Sequence, residues 1–130
     1  DPKSIDILCQ IMVPLMLPSN LMVAVGNVRS GQPGIYLWVS RDMGVTWRSE
    51  PPVLLWDARA QRVDGSAVTP DGESASPDGS TEIWDALPGY TFGTPDLAAL
   101  DDGSVLMTYY AVIDGITHVR ACRFTVDDIL

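Results

Sequence analysis

Apolar residues in this chain lie in short runs separated by turn-forming residues, and almost none of them recur with helical spacing. In the third run Ile35, Leu37 and Val39 alternate with other residues, a period of two that is typical of β-strands. The first half of the chain therefore predicts four short strands in sequence, joined by tight turns as a β-meander. The predicted strands are residues 11–17, 21–28, 35–40 and 45–48.

A similar pattern returns near the end of the chain, where strands are predicted at 96–100, 105–112 and 117–126. An Asp-Asp-Gly turn at 101–103 joins the first two, and an Asp-Gly pair at 114–115 is typical of a two-residue hairpin turn. The last strand mixes polar and apolar residues on both faces, which predicts an outer strand or one that lines a polar space. The two patterned halves also resemble each other, as in a repeat protein.

The bulk composition excludes several classes of protein. The 130 residues carry a formal net charge of −9, with 8 basic and 17 acidic residues. Nucleic-acid binding needs a basic surface, and an acidic surface is repelled by anionic membranes, so neither partner is expected. Cys9 and Cys122 lie far apart without zinc-site spacing, so we expect two buried thiols and no metal or other cofactor.

The apolar segment near the start of the chain is not expected to be a signal peptide. Residues 5–17 are apolar but lack the basic flank and cleavage site of a signal peptide, and no run is long enough to span a bilayer. The chain begins at Asp1 without Met, which is compatible with a fragment or a processed product.

Residues 40–47 have the sequence Ser-Arg-Asp-Met-Gly-Val-Thr-Trp and match the pattern Ser-x-Asp-x-Gly-x-Thr-Trp. In a hairpin, an Asp accepts hydrogen bonds from turn N–H groups, a Gly adopts positive φ, and a Trp caps a small core. The segment resembles the Asp box, or bacterial neuraminidase repeat, of sialidases and related β-propellers. There it is a folding device on the rim, away from the active centre. Its fixed positions here are Ser40, Asp42, Gly44, Thr46 and Trp47.

Residues 92–110 and 116–124 resemble the last-blade segment of the sialidase superfamily. In that segment an aromatic-Gly-x-Pro stretch leads into a strand, an Asp-Gly turn and a Tyr-rich strand. The resemblance implies an all-β fold of antiparallel β-meander blades, with about two blades of a six-bladed sialidase-type propeller present. The chain would then be a single partial domain, residues 1–130. Its parts are an Asp-box blade at 11–56, a Gly/Ser/Pro/Asp-rich loop or insertion at 57–90, and last-blade strands at 91–126.

The same resemblance implies candidate site residues. Sialidases bind the substrate carboxylate with three arginines, and they use a Tyr nucleophile paired with a Glu and an Asp acid/base. Arg29 is the candidate for the third arginine, the alternative being a solvated loop arginine. Thr94 stands where the nucleophilic Tyr is expected, and the nearby Tyr90 is the candidate to replace it. Tyr109 and Tyr110 point to opposite faces of one strand and are candidate substrate-binding residues.

The sequence is compatible with two functions, one catalytic and one limited to binding. The chain is predicted to be the C-terminal part of a sialidase-like glycoside hydrolase acting on glycans with terminal sugars, acidic or neutral. Alternatively, it belongs to a non-catalytic β-propeller that binds glycan or protein, as Thr94 favours. The expected partner is carbohydrate, together with the missing propeller blades or further copies of the chain, because two blades alone expose sheet edges. The family resemblance favours a secreted or periplasmic location.

Overall fold

The computed structural model describes residue 5 and residues 7–47, 51–59 and 91–130. In this part the protein is all-β, with seven strands in two antiparallel sheets and only short 3₁₀ turns besides them. The first sheet has the order β1-β2-β3-β4 and the second the order β5-β6-β7. The strands are β1 Met12–Met16, β2 Met22–Val28, β3 Gly34–Ser40, β4 Val53–Asp57, β5 Phe92–Ala99, β6 Val105–Ile113 and β7 Ile116–Phe124.

The four-stranded meander predicted for the first half is present, but the prediction of its fourth strand was wrong. Residues 45–47 belong to the turn after β3, and β4 follows later, at Val53–Asp57. The physical reason is local, because the main-chain N–H of Thr46 donates to the Asp42 carboxylate at 2.8 Å and is lost to any strand pairing. The side-chain hydrogen bonds of the turn thus override the β-propensity of Val45 and Thr46.

The three strands predicted for the second half correspond to β5, β6 and β7, and the largest differences are at the start of β5 and the end of β7. β5 begins earlier than predicted, at Phe92, and β7 ends at Phe124, before a 3₁₀ turn at Val126–Asp128. The hairpin turn between β6 and β7 has φ of 52° at Asp114 and 75° at Gly115, as its sequence predicts. β7 pairs with β6 at the edge of the sheet, and almost all of its residues are exposed.

The main core lies between the two sheets, which pack face to face. Alternate residues of β2 and β3 point into it, including Ile35, Leu37 and Val39, as the period-two pattern predicts. From the second sheet Val105 and Met107 are completely buried. Each such side chain contributes about 1.5–3 kcal/mol by leaving water, so this interface holds the two sheets together.

The opposite face of the first sheet carries a second, smaller apolar cluster built around Ala24, Trp38 and Trp47. Cys9 packs there, whereas Cys122 packs against the main core, and both are half-buried free thiols whose pKa is raised by burial. The two thiols thus belong to different clusters. No helix within the described ranges has the length and apolar character needed to cross a membrane.

Candidate functional site

The β2–β3 hairpin defines two ends of the first sheet. At one end Met22 pairs with Ser40, from which the 40–47 turn leaves; at the other end Val28 pairs with Gly34, and Arg29 follows directly. A strand of this length spans about 20 Å. The 40–47 turn and Arg29 therefore lie at opposite ends of the sheet.

The 40–47 turn is closed by hydrogen bonds among its five fixed positions. The Ser40 hydroxyl accepts from the Gly44 N–H and donates to Asp42 Oδ1, both at 2.8 Å. The other carboxylate oxygen, Asp42 Oδ2, accepts from the Thr46 hydroxyl at 2.8 Å. Trp47 Nε1 donates to the Gly44 carbonyl at 2.9 Å, which holds the indole over the smaller apolar cluster. Gly44 has φ of +84°, where a glycine is favoured.

These contacts assign Asp42 a structural task. Hydrogen bonds from the Thr46 main-chain N–H, the Thr46 hydroxyl and the Ser40 hydroxyl lower the pKa of this carboxyl below its ordinary value. A general acid at neutral pH needs a raised pKa, so the environment of Asp42 favours the opposite protonation state. The carboxylate instead serves as the fixed acceptor of the turn.

Arg29 lies at the other end of the sheet and joins three segments that are distant in sequence. Its Nε donates to Gln10 Oε1 at 2.7 Å, and its Nη2 donates to the main-chain carbonyl of Phe92, also at 2.7 Å. The guanidinium carbon lies 4.6 Å from the centroid of the Phe92 ring, within cation–π range. Arg29 thus connects the end of β2 to the start of β5 and to the segment that precedes β1.

Gly93 brings Tyr110 to the same place. It has φ of +151° and pairs with Tyr110 across the second sheet. A Cβ atom on Gly93 would lie 3.0 Å from Arg29 Nη2, 3.4 Å from Tyr110 Cε1 and 3.5 Å from the Tyr110 hydroxyl. The backbone of β5 therefore approaches both side chains closely, and a glycine is required for conformation as well as space.

A β-bulge follows immediately in β5. Gly93 pairs with Tyr110 and Asp96 with Thr108, so that Thr94 and Pro95 together oppose the single residue Tyr109. Pro95 has no N–H to give to a ladder, which explains why the bulge forms here. Thr94 is exposed and has φ of +43°, an unusual conformation for a β-branched residue. Bulges and strained residues are both over-represented beside functional sites.

The structure brings some of the candidate residues predicted from sequence together and separates others. Arg29 and Tyr110 come together at the bulge, and Thr94 lies beside them. Tyr109 is buried in the main core, where its ring centroid lies 5.9 Å from that of Trp56 and burial raises its pKa. Tyr90, the candidate nucleophile, falls outside the described residues, as does most of the insertion predicted at 57–90.

Three residues of this end of the sheet were not predicted as site residues: Gln10, Asn27 and Gly93. Asn27 is completely buried in the otherwise apolar strand β2, and its Nδ2 donates to Gln10 Oε1 at 2.9 Å. The sequence did contain one indication of this contact, namely the single amide of Asn27 at a core-facing position of an apolar strand. A buried polar group needs a hydrogen-bond partner, so a polar residue was to be expected beside it. We refer to six residues as the Arg29 cluster: Gln10, Asn27, Arg29, Phe92, Gly93 and Tyr110.

Comparisons with protein-family models, with curated proteins and with solved structures found no match. Within the described ranges, no group of three or more His, Cys, Asp or Glu side chains could hold a metal ion. The chemistry at the Arg29 cluster is that of a half-buried cation and a half-buried phenol, with the exposed Thr94 at its border. Such groups suit a ligand that carries a carboxylate and hydroxyl groups.

Proposed function

We propose that this chain is the C-terminal part of a sialidase-like glycoside hydrolase, and that the Arg29 cluster contacts the carboxylate of a terminal acidic sugar. The observation that carries the proposal is the meeting of Arg29 and Tyr110 at the strained bulge of β5. This meeting point lies at the end of the sheet opposite the 40–47 turn. The resemblance to sialidases implies the same layout, with the Asp box on the rim and the ligand elsewhere.

The strand order supports a propeller as the architecture. A propeller blade is a four-stranded antiparallel meander, and the first sheet has this form with the 40–47 turn between its third and fourth strands. The second sheet is a three-stranded meander whose first strand, β5, packs against β1 and β2. Two adjacent blades would pack face to face in this way.

The proposed contact follows from the chemistry of arginine. A guanidinium group presents planar N–H donors that match a carboxylate, and it keeps its charge at every physiological pH. Its positioning beside the Phe92 ring and the Phe92 carbonyl limits its freedom before a ligand arrives. In the proposed hydrolase the acid/base Asp and the remaining arginines come from other blades.

A second candidate function is a non-catalytic propeller that binds glycan. Thr94 favours it, because the resemblance expects the nucleophilic Tyr at this position. A threonine hydroxyl without an adjacent base is a poor nucleophile. Such a propeller would bind the same ligand through the same Arg29 contact but would not cleave it.

The experiment is a cleavage assay with a fluorogenic sialoside on the full-length protein and on two arginine variants. Arg29→Ala should reduce cleavage at least about 100-fold, from the loss of a charged contact of about 3 kcal/mol. Arg41→Ala is the matched control, since it removes an equal charge from an exposed position in the turn at the opposite end, and it should leave cleavage unchanged. Binding of the sialoside without turnover would support the non-catalytic candidate. Cleavage that is insensitive to Arg29→Ala would contradict the proposed contact.

A further inference from the structure

Gln10, which precedes β1, is attached to the Arg29 cluster through both its main chain and its side chain. Its N–H donates to the main-chain carbonyl of Asn27 at 2.9 Å. Its side-chain oxygen, Oε1, accepts two hydrogen bonds, from Asn27 Nδ2 at 2.9 Å and from Arg29 Nε at 2.7 Å. One exposed glutamine thus links a completely buried amide to the guanidinium.

The orientation of both amides follows from the arginine. The Nε–H of Arg29 can only donate, so the atom of Gln10 that faces it must be the oxygen. The same oxygen also faces Asn27, which must then present its amino group. This orientation leaves Asn27 Oδ1 buried with no hydrogen-bond partner among the described residues. The orientation of both amides therefore follows the needs of Arg29, although among the described residues one buried acceptor of Asn27 has no hydrogen-bond partner.

Two hydrogen bonds to different nitrogens fix a guanidinium better than one does. Gln10 holds Nε and the Phe92 carbonyl holds Nη2, so the group is fixed both in position and in rotation about its own axis. A preorganised side chain loses less freedom when a ligand binds, which raises affinity.

We propose that Gln10 is a positioning residue for Arg29, which holds the guanidinium in the orientation that meets the ligand carboxylate. The buried Asn27 amide anchors Gln10 in turn, so the segment before β1 becomes part of the site. This role for the ligand rests on the proposed function, because it requires Arg29 to bind a carboxylate. The contact between Gln10 and Arg29 is independent of that requirement and can be measured without ligand.

Two substitutions at Gln10 distinguish the loss of its hydrogen-bond acceptor from the addition of a negative charge beside Arg29. Gln10→Leu removes the acceptor and keeps an apolar side chain of similar size, whereas Gln10→Glu keeps an acceptor oxygen for Arg29 Nε. Gln32→Leu is the matched control, since Gln32 is also exposed and its side-chain amide donates a long hydrogen bond to Asp57, at 3.5 Å.

The first measurement is the hydrogen-exchange rate of the Arg29 Nε–H by NMR on the ¹⁵N-labelled protein without ligand, with the signal assigned through Arg29→Lys. Gln10→Leu should accelerate exchange about tenfold or more, while Gln10→Glu and Gln32→Leu should leave it close to wild type. Equal exchange rates in the wild type and Gln10→Leu would overturn the inference, whatever the ligand does.

The second measurement is a titration with N-acetylneuraminic acid, with its methyl ester as the uncharged counterpart. Gln10→Leu should weaken binding of the acid about tenfold and leave the weak binding of the ester unchanged. Gln10→Glu should keep the slow Nε–H exchange but also weaken binding of the acid, because its own charge competes for Arg29. If Arg29→Ala binds the acid as well as the wild type does, the proposed function fails. The exchange data then report separately on the Gln10 contact.

Discussion

Replacing Gly93 with alanine tests the close packing at the centre of the Arg29 cluster. The φ of +151° is unfavourable for any side chain and costs about 1–3 kcal/mol. In addition, the new Cβ would lie 3.0 Å from Arg29 Nη2. The guanidinium must then shift by a few tenths of an ångström, which weakens the hydrogen bond from Nη2 to the Phe92 carbonyl, a charged bond of about 1.5–3 kcal/mol. We expect a total loss of about 2–4 kcal/mol in the free energy of unfolding.

Two other glycines provide the matched control for backbone strain alone. Gly31 has φ of +70° and Gly103 has φ of +82°, and a Cβ on either would meet nothing within 4 Å. Gly31→Ala and Gly103→Ala should therefore cost only about 1–2 kcal/mol. The assay is urea unfolding followed by tryptophan fluorescence, to which Trp56 reports directly because its ring centroid lies 5.0 Å from that of Phe92.

A double-mutant cycle isolates the contact with Arg29 from the strain. In an Arg29→Ala background, Gly93→Ala should cost less than it does in the wild type, since the guanidinium that it displaces is gone. The expected coupling between the two substitutions is about 1–2 kcal/mol. A coupling near zero would refute the close approach of Gly93 to the Arg29 guanidinium. So would a Gly93→Ala variant that is no less stable than the two control variants.

Two further predictions concern the turn and the core. The lowered pKa of Asp42 means that its contribution to stability is present above its ordinary pKa of 3.8 and is lost as the pH falls through the lowered value. Asp42→Asn should reduce stability at neutral pH and flatten the fall of the unfolding free energy as the pH drops below the ordinary pKa of 3.8. An unchanged fall would argue against the hydrogen-bond network of the turn. Met107→Ala, at a completely buried position, should cost about 2–5 kcal/mol in urea unfolding. Met43→Ala, at a position that is 61% exposed, should change stability by less than about 0.5 kcal/mol; equal effects of the two would contradict the core assignment.

Sequence patterns predict those parts of this fold that are determined locally. The alternation at Ile35, Leu37 and Val39 indicates a strand with one buried face, and Asp114 and Gly115 specify their own hairpin turn. The same local reasoning failed at residues 45–47, where apolar and β-branched residues suggested a strand. There the side chains of the turn bind its own main chain, and such hydrogen bonds leave no periodic pattern in the sequence.

The Arg29 cluster was only partly predictable, because its contacts join residues that are far apart along the chain. Arg29 contacts Gln10 across 19 positions and Phe92 across 63. Nothing in the neighbourhood of Arg29 indicates either partner. Pro95 was a local indication that β5 is irregular, since a proline inside a paired strand favours a bulge. The meeting of Arg29 with Tyr110 depends on that irregularity and on the packing of two sheets.

The two ends of the first sheet therefore differ in how they depend on the rest of the protein. The 40–47 turn closes on itself through side-chain hydrogen bonds that span at most four positions, so its conformation is determined mainly by its own residues. Arg29, by contrast, has its guanidinium held by the segment before β1 and by the first residue of β5. The same side chain that we propose to bind the ligand thus also ties the second sheet to the first. A ligand that engages Arg29 would consequently act on the junction between the sheets, which couples binding at this end to the stability of the whole interface.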